Sequence, residues 1–222
     1  MGQVIVTGAL GVLGRAVVST LRAWGHQVAA VDLASGESDA DVVIGAIDLT
    51  REAAVAGAFA KAAEALGGVT ALINVAGGFT WEPVETGSAD SWDVMYRINL
   101  RTAAITCRAV LAHLKAGAIV NVGAAAATGA GMGMAPYAAS KAGVMALTES
   151  LADELKTRGI RVNAVLPTIL DTPTNRADMP DADTGEWVTP ESAARVIAFL
   201  ISDDAAAVTG VGIKLSLGTI DP

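Results

Sequence analysis

Apolar residues in this chain of 222 gather into short unbroken runs, with longer segments of helical period between them. Gln3-Val-Ile-Val-Thr7 is the first run, rich in β-branched residues, and a helix pattern follows from Val12 to Trp24. Val28 to Val31 predicts a second strand closed by Asp32, Asp41 to Ile47 a third, and Arg51 to Leu66 a helix. Thr70 to Val75 predicts a fourth strand. Ser88 is placed to cap a long helix carrying Trp92, Met95, Ile98 and Asn99. Ala118 to Val122 predicts a fifth strand, Pro136 to Thr157 a helix with proline in its first turn, and Ile160 to Leu166 a sixth strand. Residues 167–190 hold four prolines and no period, which predicts a loop or lid. A helix from Glu191 to Ile201, capped by Thr189, and a strand from Gly212 to Leu217 complete the pattern.

Strands that read as continuous apolar runs, not as alternation, are covered on both faces. The expectation is a parallel sheet between two helical layers, the doubly wound α/β class. With no internal repeat and no linker, residues 1–222 read as one domain. A composition 52% hydrophobic and 17% charged excludes a disordered chain. No apolar run reaches the ~18 residues of a membrane helix, and the opening on Gln3 predicts no secretory leader. A cytoplasmic protein is expected. A net charge of −8 argues against a nucleic-acid partner. Cys107 stands alone, and His26 and His113 lie far apart, so neither a disulfide nor a metal centre is expected.

Candidate chemistry begins at Thr7-Gly8-Ala9-Leu10-Gly11-Val12-Leu13-Gly14, between the first strand and the first helix. Glycines there permit a tight turn and close approach to a pyrophosphate, which the helix N-terminus would attract. Asp32 ends the second strand 18 residues after Gly14. It can accept from an adenosine ribose and repel a 2′-phosphate, or serve as an ordinary turn cap. No Lys or Arg follows it directly, which favours NAD(H) over NADP(H). Tyr137 and Lys141 stand at i and i+4 on one helix face. A nearby ammonium, with an oxidised nicotinamide, favours a phenolate, so this pair can move a proton.

Taken together, these residues resemble the short-chain dehydrogenase/reductase family. The resemblance spans Thr7-Gly8 with Gly11 and Gly14, Asp48, Asn74-Val-Ala-Gly77, Asn99, Tyr137 with Lys141, Arg161-Val-Asn-Ala-Val165, Pro167 and Thr172-Pro173. It implies a Rossmann-type sheet of order 3-2-1-4-5-6-7 and hydride transfer with nicotinamide. By the same resemblance Thr7 to Gly14, with Val12 and Leu13, hold the pyrophosphate, and Asp48 and Leu49 border the adenine. Asn74, Ala76 and Gly77 line the cofactor wall, and Pro167, Ile169 and Thr172 lie near the nicotinamide. Tyr137, Lys141 and Asn99 would be catalytic, and Tyr137 and Lys141 would also bind the cofactor, Lys141 at the nicotinamide ribose. A homodimer or homotetramer joined by the Asn99 and Tyr137 helices is implied, with a small-molecule substrate.

Two features depart from the family pattern. Val12 stands where the commonest branch has glycine, and Ala124 stands 13 residues before Tyr137, where the catalytic serine is expected. Thr128 aims elsewhere, and Ser140 on the tyrosine helix reads as structural. Losing one donor to a developing oxyanion typically costs roughly 10²–10³ in rate. Gly123-Ala124, the segment from Val165 to Pro173, Asn175-Arg176, Met179-Pro180 and Trp187 resemble the dihydropteridine reductase branch. That resemblance implies a quinonoid dihydropterin as substrate. An alcohol or carbonyl dehydrogenase, or a dinucleotide-binding sensor without catalysis, are the alternatives. Phe79, Trp81, Met134 and Trp187 are candidates, with Ala124, for a substrate pocket, although packing explains the aromatics equally well.

Overall fold

Val4, Ile5 and Val6 are fully buried in β1 (Gln3–Thr7) because helices cover both of its faces. The computed structural model describes residues 2–217; the assignment of residues 1 and 218–222 to the same domain lies outside these. Around β1 run β2 (Gln27–Val31), β3 (Val42–Ile44), β4 (Val69–Asn74), β5 (Leu114–Val122), β6 (Ile160–Pro167) and β7 (Gly212–Leu215). All pair in parallel, in the order β3-β2-β1-β4-β5-β6-β7. The order expected from the sequence is the order observed.

Alternate side chains of each strand feed two cores. Ile5, Leu72 and Ile119 pack with α2 (Glu52–Leu66), α4 (Thr102–Val110) and α5 (Ala135–Leu155). Val4, Val6, Ile73 and Val120 pack with α1 (Val12–Ala23) and α7 (Pro190–Ile201). Thr189 caps α7 by accepting from the Ser192 N–H, as its position before Pro190 predicts.

Several boundaries differ from the pattern. β3 ends at Ile44 because Ala46 takes φ +59°, turning the chain so that Ile47 N–H donates to Asp32 O at 2.9 Å. β5 begins four residues early, since Leu114 pairs with Val69 before a register shift. The helix capped by Ser88 is not uniform: α3 (Ala89–Met95) passes into a π-helical turn at Tyr96–Arg101 before α4. Asn99 sits in that turn, a feature frequent at functional sites. Residues 167–190 are partly ordered by α6 (Pro173–Asp178) and by a bridge between Leu170 and Val188. The last strand closes at Leu215, before Leu217.

Candidate functional site

The glycine turn divides into packing and open positions. Gly8 takes φ +64°, and a Cβ there would stand 2.6 Å from the Ala76 backbone nitrogen. At Gly14 a Cβ would collide with Gly8 O. Gly11 is different: its φ is −72°, and a Cβ would meet only Gly8 O, at 3.5 Å. Packing does not require glycine at Gly11. Its bare side lies exposed at the N-terminus of α1, beside free N–H groups and the positive dipole end. That arrangement fits a pyrophosphate. Leu13 is buried in the core under the turn, whereas Val12 is exposed beside it. Thr7 is buried, and its hydroxyl donates to Asn74 Oδ1 at 3.3 Å.

Asp32 fills the turn-capping role considered for it. Its Oδ2 accepts from Leu10 N–H at 2.8 Å and its Oδ1 from Ala34 N–H at 2.9 Å, so the carboxylate shapes the glycine turn. It remains half-buried at the end of β2, followed by Leu33, which is 68% exposed. Arg15 is tied to Leu10 O and Glu37 O. Asp48 accepts the Thr50 N–H and hydroxyl at 2.9 and 2.6 Å, and this holds its carboxyl below the usual range. Leu49 is in the core. Pro167 ends β6, Ile169 O accepts from Val188 N–H, and Thr172 Oγ1 caps α6 by accepting from Asn175 N–H.

Three helices and a glycine wall converge on the catalytic candidates. Asn99 Oδ1 accepts from Gly78 N–H at 3.0 Å, and its Nδ2 donates to Gly78 O at 3.0 Å and Ser140 Oγ at 3.1 Å. A Cβ on Gly77 would stand 2.5 Å from Asn99 Oδ1. Ser140 donates in turn to Tyr137 O at 2.7 Å, so it links the asparagine to the tyrosine helix. Lys141 is 5% exposed, and its Nζ donates to Val122 O at 2.8 Å, at the tip of β5. That Nζ lies 5.9 Å from the Tyr137 ring centroid. Burial pushes the Lys141 amine down to about 8 and the Tyr137 phenol up to about 12. Both shifts arise from desolvation, and the Lys141 ammonium is engaged by the Val122 carbonyl.

At the substrate end, Phe79 meets Tyr137 edge-on, with ring centroids 4.9 Å apart and planes at 86°. Phe79 and Trp81 are 51% and 53% exposed. The Trp81 indole donates to Met132 O at 3.0 Å. Met134 precedes α5, and its carbonyl accepts from Ala138 N–H. Ala124 is buried beside a short 3-10 turn, and Thr128 turns its hydroxyl to Ala125 O within that turn. Trp187 is only 5% exposed. Arg176 forms a two-pronged ion pair with Asp171. Cys107 packs against Asn74 and Asn121 with its thiol pushed up to about 12 by burial. Sequence reasoning missed the partners of Trp81, because the indole and its acceptor lie far apart in the chain.

The parallel sheet, the glycine turn and the Asn99–Tyr137–Lys141 group define a nicotinamide-dinucleotide oxidoreductase fold. Residues 3–183 match the family model described as short chain dehydrogenase, and the chain belongs to that family. It is 34% identical to D-threitol dehydrogenase of Mycolicibacterium smegmatis, over 96% of this chain and 91% of that protein. It is 37% identical to an inactive 2-(S)-hydroxypropyl-CoM dehydrogenase 2 of Xanthobacter autotrophicus, over 73% and 78%. Among solved structures, the 3-ketoacyl-(acyl-carrier-protein) reductase of Brucella melitensis complexed with NADH superposes with a TM-score of 0.82 at 26% identity. The match covers 96% of this chain and 95% of that one. No helix among the described residues is long and apolar enough to cross a membrane.

Proposed function

We propose that this chain is an NAD(H)-preferring oxidoreductase acting on a small, conjugated, electron-poor substrate, with Tyr137 as its proton donor. One combination carries the reading: Asn99, Tyr137 and Lys141 are brought together while the buried Ala124 offers no hydroxyl near the end of β5. When bound, the dinucleotide supplies or accepts the hydride. The Tyr137 phenol, which burial moves further up to about 12, is protonated at neutral pH and so is ready to act as an acid. Asn99 and Ser140 hold the tyrosine helix against the Gly77-Gly78 wall. Lys141 is placed to leave Val122 O for a ribose hydroxyl. Thr7 to Gly14 receive the pyrophosphate, with Asp48, Asn74, Ala76, Pro167, Ile169 and Thr172 along the rest of the dinucleotide.

Asp32 supports NADH over NADPH, because a 2′-phosphate would meet a carboxylate followed by the neutral Leu33. Fluorescence titration should show NADH binding roughly 5–150-fold tighter, the range of a 1–3 kcal/mol charge penalty. Equal affinities would remove Asp32 from the ribose site. For the substrate, a ring that already draws electrons needs no hydroxyl donor where Ala124 stands. Quinonoid dihydropterin is the first such acceptor to assay. Ala124→Ser restores a donor and should raise ketone reduction by up to ~10²–10³, leaving dihydropterin reduction little changed. The ratio of kcat/KM for the two substrates in both proteins decides it. A wild type fast on ketones and inert with dihydropterin establishes the second reading, an alcohol or carbonyl dehydrogenase, which the D-threitol dehydrogenase relative favours.

We also propose a homodimer or homotetramer joined through α3, α4 and α5. Exposed Trp92 and Tyr96 border a hollow of about 270 Å³ with Leu100 and Ala139 on that face. On these helices the small residues Ala103 and Ala138 are already buried within the chain.

A further inference from the structure

The loop after β4 grips the approach to the tyrosine helix at three points. The Trp81 indole N–H donates to Met132 O at 3.0 Å, and Glu82 N–H donates to Gly133 O at 2.7 Å. Gly133 takes φ +76°, and a Cβ there would collide with the Trp81 ring. Two residues before Trp81, Phe79 sets its ring edge against Tyr137. On the other side, Glu82 Oε1 accepts from Ser88 N–H at 2.5 Å, where Ser88 caps α3. One short segment is therefore fastened to the start of the helix bearing Tyr137 and to the start of the helix that leads to Asn99. Between the two helix starts lies a cleft of about 240 Å³, lined by Glu82, Trp92 and Pro136.

From this geometry we propose that Trp81 is a positioning residue: its lock on Met132 and Gly133 fixes the Phe79–Tyr137 contact and with it the direction of the phenol. Trp81 lies on the substrate side but acts through the tyrosine. The inference rests on the oxidoreductase reading only where turnover is measured. Removing the indole donor while keeping a ring (Trp81→Phe) releases Met132 O and leaves the apolar packing largely in place. Adding a methyl group at Gly133 collides with the same ring and also strains the loop, because the residue takes φ +76°.

The test has an arm that needs no substrate. With fluorotyrosine incorporated, the two tyrosines give separate fluorine NMR signals, and Tyr96→Phe identifies that of Tyr137. Trp81→Phe, Trp81→Ala and Gly133→Ala should each shift and broaden the Tyr137 signal. Tyr96 should be unmoved, and NADH affinity should stay within about twofold, a change of under ~0.5 kcal/mol. On the best substrate found, kcat should fall roughly tenfold for Trp81→Ala and for Gly133→Ala, with KM little changed, since about 1.4 kcal/mol of proton-transfer geometry is lost. The double variant should lose less than the product of the two, because the new methyl group occupies space the indole has left and only the strain at φ +76° remains. An unmoved Tyr137 signal overturns the proposal, as does a loss confined to KM, which would make Trp81 a substrate contact. A shifted signal in a protein without turnover on any acceptor would instead overturn the oxidoreductase reading and leave the lock standing.

Discussion

Two groups four residues apart on α5 are pushed in opposite directions by the same burial: Lys141 down to about 8, Tyr137 up to about 12. Between about pH 8 and 10.5 an unfolded chain holds a proton on this lysine that the folded chain has released. Stability then rises with pH across that window. For Tyr137 the folded chain keeps a proton that the unfolded chain loses between about pH 10 and 12, so its contribution falls there. Urea unfolding of wild type and Lys141→Met, followed from about pH 7 to 10, separates the two groups. The wild type should gain stability relative to the variant as pH rises; a constant difference would show that the amine is not desolvated. Tyr137→Phe keeps the ring against Phe79 and removes only the hydroxyl. It should lower turnover by about 10²–10⁴, the usual worth of a placed general acid, while NADH affinity holds. Full activity in that variant would take the proton-donor role from Tyr137.

Between elements, buried polar side chains run through the sheet as one string. Asn74 Oδ1 in β4 accepts from Thr7 in β1 and from Thr106 in α4, and its Nδ2 donates to Asn121 Oδ1 in β5 at 2.9 Å. Asn121 Nδ2 donates onward to Thr148 Oγ1 in α5 at 2.9 Å. Asn121→Leu would take the strong acceptor from Asn74 Nδ2 and the donor from Thr148 Oγ1, leaving them the Cys107 sulfur and the Val144 carbonyl, so an unfolding free energy lower by about 1–3 kcal/mol is expected at each of these asparagines. Thr128→Ala, on an exposed turn, should change it by less than about 0.5 kcal/mol. Chemical denaturation measures both. The same contrast explains what was legible in the sequence. Strands and helices whose apolar period is set by the core, such as β1, β4 and α7, were readable because burial repeats along the chain. The turn at Ala46 was not, since its apolar neighbours continue the strand pattern while the hydrogen bonds leave it. Nor was the π-helical turn at Tyr96–Arg101, which leaves the helical pattern of polar and apolar residues intact. At the site, the Tyr137–Lys141 pair was legible from its i, i+4 spacing only together with the glycine turn. The pinning of Lys141 on Val122 O and the grip of Trp81 on Met132 depend on residues brought together only by folding.

At the scale of the molecule, exposed aromatics on the α3–α5 face predict self-association. Sedimentation should find a dimer or tetramer, and Tyr96→Glu should shift it toward monomer; a monomeric wild type would leave Trp92 and Tyr96 as surface residues only. A different consequence follows from the pairing of α1 with α7. Leu13, Val17, Val18 and Leu21 share their core with Ala193, Ala194, Ile197 and Ala198, so the earliest helix rests on the latest one. On the ribosome, a gap of some 180 residues at roughly 5–20 residues per second leaves that first greasy stripe uncovered for on the order of 10–40 s. β1 faces a shorter delay of the same kind, because β4 must emerge before its second edge is paired. Birth order and burial order therefore run against each other in this chain, and its vulnerability to aggregation and to chaperone capture is greatest while it is being made.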